Sequence, residues 1–455
     1  MVEVPVKIYV TNLAKKARET ARPLSLLSGA AKAKALAALA DRLDAQAEAV
    51  LEANRQDVEA VGKTLEGQTN KDTVKEAVDR VRLTADDLRK LTATLRQIAE
   101  LPDPVGEITK VWRRPNGMQV SRMRVPIGVI GIISEQGPVQ TTEAAALCLK
   151  AGNVCLLRTG PEWTRTNALI AAAVRQAAQE AGIPPDGMIA LDRPEREVAA
   201  ELLRQTKYLD AVIPLGGPGL NKTIAEQTRL PLLCHETGVC HVYIDGDADL
   251  PLAQNIVVNS KVQRAAATNA VDTLLVHQST SRPLLPGLIR RLLDEFKVEV
   301  RGCPKTVALT GAQSLTGYKS VVEAKDEDWG RQFQAPILAI KIVKDLDEAL
   351  EHIGRYGPGH TDTIVTRDYA TAMRFAREVD SGAVLVNAST RLHDGEEFGL
   401  GGSVGVNTHR PAARGPVALE SLTCEKYVVL GTGQLRHPHP VPVAYEDAIM
   451  LKRPS

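Results

Sequence analysis

From Val129 to Asn387 the chain alternates short strand-like runs, most of them rich in apolar residues, with longer amphipathic ones, and no other feature of the sequence limits the fold so tightly. Val129–Ile133 carries no polar residue on either face, as a strand covered on both sides of a parallel sheet must. Val154–Leu157, a short stretch near Met188, Ala211–Pro214, Asp272–His277, Pro336–Val343, Thr361–Thr366 and Gly382–Asn387 read as further strands. Between them the apolar spacing predicts helices over 141–150, 164–181, 195–206, 282–297, 345–352 and 369–379. Gly182 stands where a left-handed C-cap would end the second of these. Strands and helices in turn predict doubly wound parallel sheets, an α/β fold.

The flanks read differently. Residues 28–60 predict one long helix, capped by Ser28, with Leu36, Leu39, Leu43, Ala47 and Val50 on one face. A second helix is expected over 73–99. Gly62-Lys63-Thr64 resembles the end of a phosphate loop, but the glycine required five residues earlier is Asp57 and no strand precedes it. Pro115-Asn116-Gly117 marks a hairpin turn between two mixed segments. The tail from Tyr427 reads as an apolar strand followed by an extended arm, HPHPVPV.

A length of 455 residues suggests two or three domains. A net charge of +1 argues against a nucleic-acid or acidic-membrane partner, and 3% aromatic residues against a base-stacking platform. The N-terminus has no signal-peptide pattern, and no apolar run reaches the length of a membrane span. Six cysteines without a CxxC pair fit a reduced, cytoplasmic protein.

Three stretches carry candidate chemistry. In NSKVQRAAATNAVDTLLVH, from Asn259 to His277, a helix ending with Lys261 and Arg264 runs into the small-residue loop 265–269 and then an apolar strand. Such a loop suits an anionic substrate meeting a reacting group, and it equally suits an ordinary helix-to-strand connection. Leu215-Gly216-Gly217-Pro218-Gly219 ends a strand and opens a helix, letting backbone amides approach an anion, although it is not a GxGxxG fingerprint. His235-Glu236-Thr237-Gly238-Val239-Cys240-His241 gathers two histidines and a cysteine without a second ligand cluster at zinc spacing, so a turn with a core histidine is the better reading. The polar loop 388–405, with Asp394, Glu396 and Glu397, follows a buried strand.

The blocks RPNGMQVSRMRVPIGVIGII, AAALCLKAGNVCLLRTG, VIPLGGPGL, TGVCHVYID, NSKVQR with TNAVDTLLVH, HTDTIVT, VDSGAVLVNASTR, DGEEFGLG and ARGPVALESLT strongly resemble the γ-glutamyl phosphate reductases, a branch of the aldehyde dehydrogenase superfamily. The resemblance spans about residues 10–436. It implies an aldehyde-dehydrogenase-like α/β fold with two doubly wound parallel-sheet domains and a small oligomerisation hairpin and strand. The nucleotide-binding domain would take residues 1–110 and 127–248, the catalytic domain 249–405, and the oligomerisation part 111–126 and 406–455. It further implies NADPH-dependent reduction of L-glutamate 5-phosphate to glutamate-5-semialdehyde, in proline biosynthesis. The cofactor would be NADP(H), the assembly a homo-oligomer, and a glutamate kinase or an active paralogue a possible partner.

The resemblance implies site residues as well. Arg158, Gly216, Gly217 and Gln332 would hold the cofactor. Lys261, Arg264, Asn387 and Arg391, with Ser389 nearby, would hold substrate. Thr268 and Asn269 would stand at the reacting centre. Here the chain departs from the family it resembles. Thr268 occupies the place of the cysteine nucleophile, and a hydroxyl is a far weaker nucleophile near neutral pH than a thiol. Val139 replaces the asparagine that stabilises the oxyanion, Gln332 a glutamate, and Leu215 an arginine. Glu236 falls where many aldehyde dehydrogenases keep a general base, while a turn carboxylate is the plainer reading. Cys240 matches a family cysteine that is not the nucleophile, and it reads as a buried structural thiol. Impaired or altered chemistry is therefore expected. The alternative is a repurposed homologue: an inactive binding partner, or an acyl transferase that needs no hydride.

Overall fold

The computed structural model describes residues 4–65, 71–193, 195–233, 238–312, 321–410 and 414–435. Contacts divide the described residues into two units, one drawn from 1–131, 142–211 and 419–455, the other from 132–141 and 212–418.

The first unit opens with the helices Val6–Ser25, Gly29–Ala45, Ala47–Thr64, Lys71–Val81 and Ala85–Glu100. Their apolar stripes supply a core in which Leu24, Leu36, Leu39, Leu43, Leu91 and Leu95 are buried. The first helix has no strong sequence signal, because it buries mainly small residues, Ala14, Ala17 and Ala21 among them. The single helix expected over 28–60 breaks at Gln46, whose φ of −103° and ψ of 12° leave the helical region. Ser28 does cap it, accepting from Ala31 N at 3.2 Å. The helix expected over 73–99 is also two. Thr84 and Asp87 form a reciprocal capping box that starts the second, with bonds of 3.1 and 3.0 Å. Gly62-Lys63-Thr64 is simply the last turn of Ala47–Thr64. Buried Asp57 accepts from Arg165 N, Thr166 N and Thr166 Oγ1 at 3.1, 2.9 and 2.8 Å, and so caps the helix Thr164–Ala181. That helix ends at Gly182 with a φ of 71°, as expected.

The hairpin is present. Ile108–Arg113 pairs antiparallel with Gln119–Pro126, and Thr423–Leu430 adds along the other edge of the latter. This small sheet leaves Ile108, Val111, Tyr427, Val429 and Leu430 exposed. The unit also holds the parallel strands Val154–Arg158 and Met188–Ala190.

The second unit is built on a parallel sheet whose described strands run, edge to edge, Val322–Glu323, Glu299–Gly302, Ile337–Val343, Thr273–His277, His241–Ile244, Thr361–Val365 and Ala383–Val386. The central strands are buried on both faces, and they carry polar residues into the core: His241, Thr273, Thr361, Asp362 and Thr363 are all buried. Helices Leu250–Val262, Gln278–Asp294, Leu346–Tyr356 and Tyr369–Glu378 cover them. Strand Glu299–Gly302 and helix Pro304–Ala312 were not expected; the strand EVRG carries two charges and does not look buried in sequence. Among the described residues no helix is long and apolar enough to cross a membrane.

Candidate active site

The helix Leu250–Val262, capped by Asp249, delivers the chain to the small-residue loop. Tight turns then fold it back. Ala267 N donates to Arg264 O, Ala270 N to Ala267 O and Val271 N to Ser260 O, at 3.0 to 3.1 Å. Thr268 lies at the loop, half-buried. Beneath it is Gly238: a Cβ built there would stand 2.5 Å from Thr268 O and 2.7 Å from Gln332 Nε2, so only glycine admits this approach. The structure therefore brings Gln332 to the Thr268 loop. Both polar atoms of the Gln332 amide are buried and have no hydrogen-bond partner among the described residues.

Asn269 is a tie. Its Nδ2 donates to His393 O at 3.1 Å and Arg391 O at 3.4 Å, binding the Thr268 loop to the late loop. Ser260 repeats the connection, with its Oγ 3.0 Å from Ser389 Oγ and accepting from Thr390 N. The late loop thereby presents Arg391, whose Nε donates to Gln263 Oε1 at 2.8 Å. Burial and the neighbouring Arg264 hold the Arg391 guanidinium below its ordinary value. The charge of Arg264 is thus felt at Arg391, with Asp394 and Glu397 acting the other way.

The remaining residues lie elsewhere or face other ways. Lys261 is fully buried, its Nζ 3.4 Å from Asp272 Oδ1 and turned inward. Burial lowers its pKa and raises that of Asp272, while their mutual attraction opposes both shifts. Asn387, at a φ of 53°, spends its amide on Thr366, accepting from its N at 3.0 Å and donating to its O at 2.9 Å. Gly216 and Gly217 end the strand Ala211–Leu215 and open the helix Pro218–Gln227. A Cβ on Gly216 would meet Leu220 and Glu135, whereas Gly217 faces open space. Arg158 ends its strand in the first unit, 9% exposed. Val139 lies in the first turn of Pro138–Lys150. Glu236, like the arm HPHPVPV, falls outside the described residues.

A polar cluster that sequence did not bring together underlies the loop. Cys240 is fully buried; its thiol donates to Gly238 O at 3.2 Å and Thr268 O at 3.4 Å and lies 3.6 Å from His360 Nδ1. Burial, with Asp272 and Asp362 nearby, pushes that thiol well above its ordinary pKa, so it stays protonated. Thr361 Oγ1 sits 2.7 Å from both His360 Nδ1 and His393 Nδ1. Burial pulls His393 down to about 4 and His352, packed by Trp329 and Tyr356, down to about 3. His241 Nδ1 meets Asp362 Oδ1 at 2.8 Å, and Ser381 donates to the other carboxylate oxygen. No group of three or more metal-ligating side chains forms among the described residues. These groups stand at the amino ends of the central strands. Reasoning that looks for ligands at the carboxyl ends of parallel strands passes over them.

The chain matches the model of the aldehyde dehydrogenase family over residues 8–327 and 319–427. It is 43% identical to a γ-glutamyl phosphate reductase of Thermodesulfovibrio yellowstonii, over 95% of this chain and 99% of the relative. It is 44% identical to one of Heliobacterium modesticaldum, over 93% and 97%. Among solved structures it resembles the γ-glutamyl phosphate reductase of Thermotoga maritima, with a TM-score of 0.87 and 38% identity over 94% of this chain and all of that one.

Proposed function

The chain belongs to the aldehyde dehydrogenase family, among its γ-glutamyl phosphate reductases, and from that premise we propose that it binds L-glutamate 5-phosphate and a nicotinamide cofactor, NADPH, and carries out the reduction to glutamate-5-semialdehyde and phosphate in proline biosynthesis. The observation that carries this reading is the tie by which Asn269 fastens the Thr268 loop, which follows Arg264, to the loop that bears Arg391. Two cations there suit the phosphate or carboxylate of the substrate. Asn269 holds the two loops together, so the anion and the reacting carbonyl share one frame. Thr268 takes the place of the nucleophile. Its hydroxyl would attack the acyl carbon and phosphate would leave, giving an ester in place of a thioester.

The residues present fit the cofactor. Gln332 offers a free donor and a free acceptor, suited to ribose hydroxyls, and Gly217 leaves its backbone open at a helix start. When bound, the cofactor supplies the hydride. Lys261, enclosed with Asp272, supports the site from within. The exposed apolar side chains of the small antiparallel sheet support assembly of like subunits. The described cysteines are unpaired, which supports work in the reducing cytoplasm.

A second reading rests on Thr268 itself. Without a thiol the chain would bind its ligands and reduce slowly, as a partner of a glutamate kinase or active paralogue, or as an acyl transferase. The reverse reaction separates the two: pyrroline-5-carboxylate, phosphate and NADP are supplied and NADPH is followed. We expect a slow wild type and a gain of about a hundredfold for Thr268→Cys, roughly 2.7 kcal/mol off the barrier. A wild type as fast as Thr268→Cys would refute the importance given to the missing thiol. Silence in both variants would favour the second reading.

A further inference from the structure

We infer that Asp272 is a positioning residue for Gln332, setting the unpartnered amide of that side chain beside Thr268. Gln332 makes no hydrogen bond of its own among the described residues, yet both polar atoms of its amide are buried. A side chain in that condition takes its place from its backbone. The backbone is held at the next residue, where Phe333 N donates to Asp272 Oδ1 at 3.1 Å. The same oxygen faces Lys261 Nζ at 3.4 Å. Lys261, Arg301 and Arg331 stand 5.9, 5.3 and 5.9 Å from the Phe333 ring centre, so the ring is gripped by cations as well.

Asp272 is equally tied to the other side of the site. Its N donates to Cys240 O at 3.0 Å, and Cys240 in turn donates through its thiol to Thr268 O. One residue, 2% exposed, thus fixes the Gln332 segment and the strand under Thr268 in a single frame. Gly238 completes it, since its bare Cα leaves room for Thr268 O and Gln332 Nε2 to crowd the same point. A buried group that orients a binding side chain in this way sets affinity without touching the ligand.

The inference rests on the reading of Gln332 as a cofactor ligand, and the test separates the two. NADPH affinity is measured by its fluorescence for the full chain, Gln332→Ala, the pair Lys261→Met/Asp272→Ala, and all three changes together. The pair removes both charges at once, so no lone charge is left buried. Melting curves confirm that each variant is folded. We expect Gln332→Ala and the pair each to weaken NADPH binding about fivefold, and the triple variant to be no weaker than Gln332→Ala alone. Independent, multiplying effects would overturn the role of Asp272 and leave Gln332 as a ligand. A folded pair with unchanged affinity would overturn it too. If Gln332→Ala binds NADPH normally, both the cofactor reading of Gln332 and the inference fall.

Discussion

Asn269 shows how a residue picked out beside the reacting centre can serve it through the backbone. Its amide donates to Arg391 O and His393 O and so joins the loop that bears Thr268 to the loop that bears Arg391. Asn269→Ala would leave two carbonyls in a buried region without that donor, at a cost of about 1–3 kcal/mol. The expected outcome is a lower melting temperature together with a raised KM for the acyl phosphate, because Arg391 loses its anchor. Asn269→Asp keeps the shape but not the donor, and it should fail in the same way; normal substrate affinity in either folded variant would refute this role. Lys261 and Asn387 teach a related lesson. Residue type and chain position drew both toward substrate, but one ammonium is turned inward to Asp272 and one amide is spent on Thr366.

At the scale of the element, ends matter more than middles. The apolar stripes of 28–60 and 73–99 were legible, yet each is two helices, since periodicity measures which face is buried and is blind to a brief departure from helical backbone. The capping box at Thr84 and Asp87 was readable in principle from the residue types alone. The cap on the helix Thr164–Ala181 was not, because its carboxylate comes from Asp57, more than a hundred residues earlier. Asp57→Ala would strand the Arg165 and Thr166 amides in a buried place. We expect a loss of about 2–3 kcal/mol, read as an earlier denaturation midpoint, with Asp57→Asn recovering part of it. A shift below about 0.5 kcal/mol would show the cap to be dispensable.

Across the whole molecule, pH response follows from histidines buried in neutral form. His352 and His393 have folded values of about 3 and about 4, below the ordinary value of 6.5. The unfolded chain therefore binds protons that the folded chain refuses. Stability from these two is fully present above about pH 6.5 and falls below it, by about 1.4 kcal/mol per pH unit for each, until the folded values are reached. Denaturation between pH 7 and 4.5 should show this slope, and His352→Phe should reduce it; an unchanged slope would sink the assignment. What the sequence determined by itself was the alternation of strand and helix, the hairpin, the helix cap at Ser28 and stop at Gly182, and the family, because these depend on local backbone preference, apolar period and ordered blocks of residues. The tertiary structure alone decided that Gln332 lies against Gly238 and Thr268, that Asp272 and Lys261 close on each other beneath the site, and that Cys240, His360, Thr361 and His393 form one buried cluster. Those residues come from strands and loops far apart in the chain, and only the packing of a parallel sheet sets their starting ends side by side.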